Sequence, residues 1–361
     1  MSARSPSLIL LLLAAAHTAA AQSAAPAAPD AQLERIVNEA MRAQQIPAVT
    51  VAVMKADRIV YSRGFGTADL ENSVPATPET LIRTGSIAKP ITAVAAMTLV
   101  EAGKLDLDAP VQSYCAPFPP KQWPITTREL LSHTSGIRHY LAGEPEHTTH
   151  YQWMADGFAL FANEPLLFRP GTAYSYSTYG YTVAGCAIEG ASGARFQDYV
   201  AEHVLRPAGM THTFVDSAFE IVPHRARGYQ LLDGTVKNSV LMDSSYKIPG
   251  GGYVSTAEDL VRFAQALLDG RLVKSATLTE MWTATAVSAR NPYGLGFALP
   301  EGGRFVMHTG GQSGTSTELF IIPETQSAIA VLTNLEHAQL GDLVRAIALE
   351  MKQPALAPAK P

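Results

Sequence analysis

The sequence is poor in cysteine, tryptophan and charge, and it has no apolar run long enough to cross a bilayer. Cys115 and Cys186 are the only cysteines. Two cysteines are too few for a disulfide-built scaffold. Cys186 falls within "YTVAGCAIEGASG", an apolar helical pattern, and reads as a buried free thiol. The three tryptophans, Trp123, Trp153 and Trp282, read as packing residues. No Gly-x-Ser-x-Gly elbow occurs, which argues against an α/β-hydrolase. His-Glu-x-x-His is missing, and glycine clusters such as "GFGTAD" lack the dinucleotide spacing.

Charged residues make up 16% of the chain and hydrophobic ones 47%, a globular balance. The formal net charge of −5 argues against nucleic acid as a partner. Arg4, the apolar run Leu8 to Ala16 and the small residues before Gln22 form a secretory signal pattern, with cleavage expected after Ala21. That run is well short of the roughly 20 residues a span needs. The mature protein is therefore expected to be periplasmic or secreted, without a stable membrane span. Residues 22–29 read as a Pro/Ala linker and residues 353–361 as a disordered tail.

Asp30 is expected to cap a helix reaching Gln44, with Leu33, Ile36, Val37 and Ala40 on one face. "AVTVAVMKADRIVYSRGFG" reads as a hairpin turning at Ala56-Asp57. "ELFIIPETQSAIAVLTN" repeats strand, turn and strand, and "GDLVRAIALEMKQ" closes as a helix. Between them the chain is helical and loop-rich. It includes a helix near Tyr181–Ser192 and another in "STAEDLVRFAQALLDG" opened by a Ser255/Glu258 capping box. The expected architecture is an α/β (α+β) fold. One antiparallel sheet is built from residues 30–80 and 286–352 and flanked by helices, with a mostly helical insert at 81–285.

"TGSIAKPITAVAAMTLVE" carries the first chemical signal. It reads as an amphipathic helix, and Pro90 is tolerated only in a first turn. Ser86 then lies at a helix start, where free N–H groups and the positive dipole end favour negative charge. Lys89 falls on the same face, and an amine in that setting has a lowered pKa and serves as a base. A serine nucleophile with a lysine activator suits acyl transfer. Ser-x-x-Lys alone is weak. A second copy, Ser244 and Lys247, sits in the Gly/Pro-rich loop "DSSYKIPGGGY" and is set aside.

Two further motifs follow. Tyr176-Ser177-Thr178 precedes a helix, and His308-Thr309-Gly310-Gly311 ends a strand. Together the three resemble the signature of the serine β-lactamase and penicillin-binding protein superfamily, in order and spacing. The class C branch is most similar, and "EAGKLDLDAPVQSYCAPFP" and "SHTSGIRHY" resemble the mitochondrial β-lactamase-like proteases. The resemblance covers about residues 30 to 350. It implies Ser86 as nucleophile, Lys89 as its proton partner and Tyr176 as second acid or base, with Tyr174 and Tyr179 as rivals. It implies an oxyanion hole from the Ser86 and Gly311 N–H groups. Tyr174, Thr178, His308, Thr309 and Gly310 would line the substrate. No metal and no organic cofactor is implied.

Two departures matter. Thr178 stands where the family carries an amide side chain, and His308 where class C β-lactamases carry lysine. Both favour an esterase, peptidase or amidase over an efficient β-lactamase. A dedicated class C-type β-lactamase, or a non-catalytic binding protein keeping the fold, are the alternatives. His133, His139, His147 and His150 read as loop histidines rather than metal ligands, with His133 in a structural turn. Nothing in the sequence gives an oligomeric state.

Overall fold

The computed structural model describes residues 31–288 and 290–355. The signal pattern, the linker, the Asp30 cap and the last residues of the tail lie outside these. Helix α1 (Ala31–Gln44) buries Leu33, Val37 and Met41, one face of a helical repeat. Ile36 and Ala40 pack at its margin. Strands β1 (Ala48–Lys55) and β2 (Arg58–Asp69) follow, joined through Ala56 at φ +53°. The short β3 (Val74–Pro75) pairs with β2.

The main sheet is antiparallel, in the order β3, β2, β1, β11 (Ser327–Thr333), β10 (Thr315–Ile322), β9 (Val306–Gln312). Its second half comes from the other end of the chain. Strand alternation divides the core in two. Val49, Val51, Val53, Phe320, Ile329 and Val331 face α1 and the last helix, α10 (Gly341–Glu350). Ala52, Met54, Leu319, Ile321, Ala330 and Leu332 face the larger core, which includes α8 (Ala257–Leu268). With both faces covered, β1, β10 and β11 are buried almost throughout.

The helical side holds α2 (Ala88–Glu101), α3 (Thr127–Leu131), α4 (Thr178–Ser192), α5 (Phe196–Val200), α6 (Arg206–Ala208), α7 (Ile248–Gly251) and α9 (Ser275–Met281). It also carries strand structure. β4 (Ile82–Arg83), β8 (Tyr253–Ser255) and β5 (Phe214–Val215) make a three-stranded sheet, and β6 (Tyr229–Leu232) pairs with β7 (Thr235–Asn238).

Three expectations change. α2 is not amphipathic: Ala88 to Met97 is buried without a break, so the helix runs through the core. α8 is capped by Thr256, which accepts from the Asp259 N–H at 3.2 Å. Ser255 ends β8 instead, its hydroxyl 2.7 Å from that of Thr213. Finally, Cys186 is not a free thiol. It is disulfide-bonded to Cys115, 71 residues away, tying α4 to the loop before α3. Gly190 permits that approach, since a Cβ there would overlap the Tyr114 carbonyl.

Candidate active site

Four segments converge where α2 begins. Thr84 anchors the first. Its N–H donates to the Tyr253 carbonyl at 2.8 Å, and its own carbonyl accepts from the Thr317 hydroxyl at 2.8 Å. The backbone then turns at Gly85 (φ +51°) into a short 3₁₀ turn, Gly85–Ile87, that leads into α2. A Cβ at Gly85 would lie 2.7 Å from the Gly311 nitrogen, so only glycine lets the turn lie against β9. Ser86 is therefore partly exposed at the start of a helix, beside the Gly310-Gly311 backbone. Pro90 sits in the first turn of α2, where no N–H is missed.

Lys89 is 0% exposed. Its Nζ lies 2.9 Å from Ser86 Oγ, 3.1 Å from Thr178 Oγ1 and 2.8 Å from the Gly250 carbonyl oxygen. Burial drives its pKa well below the ordinary lysine value, and the charge of nearby Lys247 pushes the same way. A neutral amine has two N–H donors and one lone pair. Deprotonated, Lys89 can keep its two N–H bonds to Gly250 and Thr178 and offer the lone pair to the Ser86 hydroxyl.

Tyr176 comes from the residues just before α4. Ser177 caps that helix: its hydroxyl accepts from the Gly180 N–H at 3.0 Å and donates to the Arg138 carbonyl at 2.8 Å. The Tyr176 ring lies 4.7 Å from Lys89 Nζ, with its phenol near the Ser86 side chain. Burial raises its pKa above the usual tyrosine value, so it holds its proton at neutral pH. The rivals separate. Tyr179 is buried, donates to Glu144 Oε2 at 2.9 Å and stacks on Phe161, within the core. Tyr174 is partly exposed and packs against His133 and Tyr293 as a wall.

His308 is 5% exposed. Its Nδ1 is 2.6 Å from the Thr309 carbonyl oxygen, an acceptor only, so Nδ1 carries the proton. Nε2 then accepts from the Tyr293 hydroxyl at 2.9 Å. Burial above all lowers its pKa to about 3, any charge on Lys89 would push the same way, and the ring is neutral. Both nitrogens are engaged within the chain, so His308 has no free donor for a substrate carboxylate.

The remaining histidines do not converge. His133 holds both flanks of Tyr176: its carbonyl accepts from the Ser175 N–H at 2.9 Å and its Nδ1 from the Ser177 N–H at 3.1 Å. His139 Nδ1 accepts from the Thr178 N–H at 3.2 Å. His150 is 3.0 Å from Asp243 Oδ2. Three site contributors have only faint sequence signals. The Gly250 carbonyl that holds Lys89 lies in "IPGGGY", where a Cβ on Gly250 would strike the Thr178 methyl. Tyr293, in "YGLGF", fixes the His308 tautomer. Lys247, from the Ser-x-x-Lys copy set aside above, is buried near the site and bears on the Lys89 charge.

The β-lactamase family model matches residues 33–351. The chain belongs to the β-lactamase family. It is a serine hydrolase, as members of this family are. It is 29% identical to the human mitochondrial serine β-lactamase-like protein LACTB, over 84% of this chain and 76% of that one. Penicillin-binding protein 4* of Bacillus subtilis is 30% identical, over 80% and 68%. The octameric penicillin-binding protein homologue from Pyrococcus abyssi superposes with a TM-score of 0.78 at 27% identity, covering 90% and 78%. The D-amino acid amidase from Ochrobactrum anthropi superposes with a TM-score of 0.75 at 25% identity, covering 89% and 98%. Among the described residues no helix is long and apolar enough to cross a membrane.

Proposed function

We propose that this β-lactamase-family protein hydrolyses ester, peptide or amide bonds through an acyl-enzyme on Ser86. The observation that carries the reading is the buried Lys89 amine, its Nζ 2.9 Å from Ser86 Oγ and held in place by the Gly250 carbonyl and the Thr178 hydroxyl. Lys89 accepts the Ser86 proton as Oγ attacks the carbonyl carbon. The oxyanion is held by the Ser86 and Gly311 N–H groups. Tyr176, still protonated, delivers its proton to the leaving group, and later assists water in releasing the acid.

Two features favour esters and amides over β-lactams. Thr178 offers a hydroxyl rather than an amide, and that hydroxyl already accepts from Lys89. His308 is neutral and fully engaged, so the third motif lacks the cation that lysine supplies. The likeness to a D-amino acid amidase agrees with amide substrates. The secretory pattern and the Cys115–Cys186 disulfide agree with export to an oxidising compartment.

The test is covalent labelling with a fluorophosphonate, located by mass spectrometry. The adduct is expected on Ser86 and absent in Ser86→Ala. Lys89→Met and Tyr176→Phe should each slow labelling or ester turnover by about 10²–10⁴-fold. An adduct on Ser244, or activity surviving Ser86→Ala, overturns the reading. Nitrocefin turnover is expected to be at least about tenfold below p-nitrophenyl ester turnover, a factor equal to ~1.4 kcal/mol in the barrier.

A further inference from the structure

A cavity of about 330 Å³ opens beside Tyr176 and His308. Tyr174, Tyr176 and Tyr293 give it an aromatic wall, and Leu299 and Met307 add aliphatic surface. Two of its polar residues are engaged within the chain, the Tyr293 hydroxyl with His308 and both His308 nitrogens, while Asn291 and Thr309 also stand in the lining. Arg290 is the one charged residue in the lining. It is exposed and forms no ion pair among the described residues. A largely apolar pocket of this size with a few polar groups and one charge is the usual form of a small-ligand site.

Tyr176 sets the direction. On the proposed mechanism it protonates the departing group, and it also forms part of the cavity wall. The cavity therefore lies on the leaving-group side of the scissile bond. We propose that it selects a bulky apolar leaving residue whose free carboxylate pairs with Arg290, so that the enzyme removes a large apolar residue from a peptide C-terminus. The inference rests on the Ser86 acyl-enzyme reading. Ser86 Oγ bonds to the carbonyl carbon, the C–N bond breaks, and the nitrogen leaves as a free amine carrying the Tyr176 proton. Water then cleaves the ester, releasing the shortened peptide and restoring the Ser86 hydroxyl.

The experiment uses N-acyl dipeptides with a constant acyl residue. The C-terminal residue is Phe, Leu or Gly, in both enantiomers, as free acid and as amide, and release is followed by chromatography. For the enantiomer accepted, kcat/KM for Phe and Leu acids should exceed that for Gly acid by at least about tenfold, and acids should exceed their amides. Arg290→Gln should erase the acid-over-amide preference. Ala298→Phe, which places a ring in the cavity lining, should erase the Phe-over-Gly preference. Arg290 is exposed, so its variant tests the idea even if Ala298→Phe does not fold. Fluorophosphonate labelling of the wild type separates the two failures, because fluoride is too small to need the pocket. Labelling of Ser86 without any preference among the dipeptides, or with no dipeptide cleaved, overturns the pocket and leaves the hydrolase. No labelling overturns both. Equal loss on acids and amides in Arg290→Gln also overturns the carboxylate pairing.

Discussion

Two buried lysines set the electrostatics of the site. Burial disfavours the charged form of Lys89, because an ammonium there would be stranded away from water. The labelling rate of Ser86 should rise with pH through the depressed Lys89 pKa and then stay level until Tyr176 loses its proton, above pH 10. A rate that falls between pH 7 and 9 would show that the protonated lysine is the active form. Lys247 is 3% exposed, over the rings of Tyr140 and Tyr246 at 5.5 and 5.6 Å. Burial, with a smaller push from Arg83, lowers its pKa to about 7. The unfolded chain then holds this proton more tightly than the folded one, so the cost to folding is full below pH 7. It fades as pH climbs toward the unfolded value near 10.4. Lys247→Met should therefore stabilise the protein by ~2–4 kcal/mol at pH 6 and by clearly less at pH 9.5, measured by chemical denaturation. An equal gain at both pH values would refute the assignment. The same variant shows whether Lys247 contributes to the acid limb of labelling.

At the scale of elements, chemistry is placed by how helices begin. Ser86 lies in the 3₁₀ turn that opens α2, and Tyr176 lies two residues before α4. Each helix start is tied to another segment: Thr84 to β8 and β10, Ser177 to the Arg138 carbonyl. Ser177→Ala removes both the cap on Gly180 and the tie to Arg138. It should cost ~1–2 kcal/mol in stability and reduce turnover through Tyr176, while Ser177→Thr recovers most of both. Unchanged turnover in a destabilised Ser177→Ala would mean that the cap serves the helix alone. The pairing of β9 with β10 (Gly310 opposite Thr317, Gly311 opposite Ser316) brings the glycines to the Gly85 turn. A side chain at Gly310 would overlap the Thr84 carbonyl, so packing requires that glycine, whereas a Cβ on Gly311 would meet open space.

The whole molecule is joined in two ways. The main sheet unites the two ends of the chain, with β1 paired to β11 through seven residues. The helical side is cross-linked by the Cys115–Cys186 disulfide, which closes a long loop in the unfolded chain. Replacing both cysteines with alanine should lower stability by ~2–5 kcal/mol, read as the difference between oxidised and variant protein in urea. Reducing the wild type before denaturation should reproduce the loss, and equal stability of all three forms would show that the bond is not formed in the purified protein.

The local signals in the chain determined a good deal. Helical spacing placed α1 and α10, each of which buries one face, and β-rich runs broken by turn residues placed the hairpin at Ala56-Asp57, β10 and β11. Pro90 marked the opening of α2, since proline lacks the N–H that an interior position needs. The three motifs brought Ser86, Lys89 and Tyr176 forward. Other features depend on residues far apart in sequence, and only tertiary structure decided them. α2 looked amphipathic but is enclosed, because helices and strands from three other regions surround it. Cys186 looked like a core thiol, yet Gly190 lets the Tyr114 segment close enough for a disulfide. Ser255 looked like a cap, but β8 claims it and passes that role to Thr256. Tyr179 and Tyr176 are alike in sequence, and one helical turn sends the first into the core and leaves the second beside Ser86. His308 looked like a substrate ligand, and Tyr293 and the Thr309 carbonyl occupy it. Sequence pattern reports what a residue can do within its own element. Burial and hydrogen-bond partners contributed by distant segments decide which of those capacities remains free.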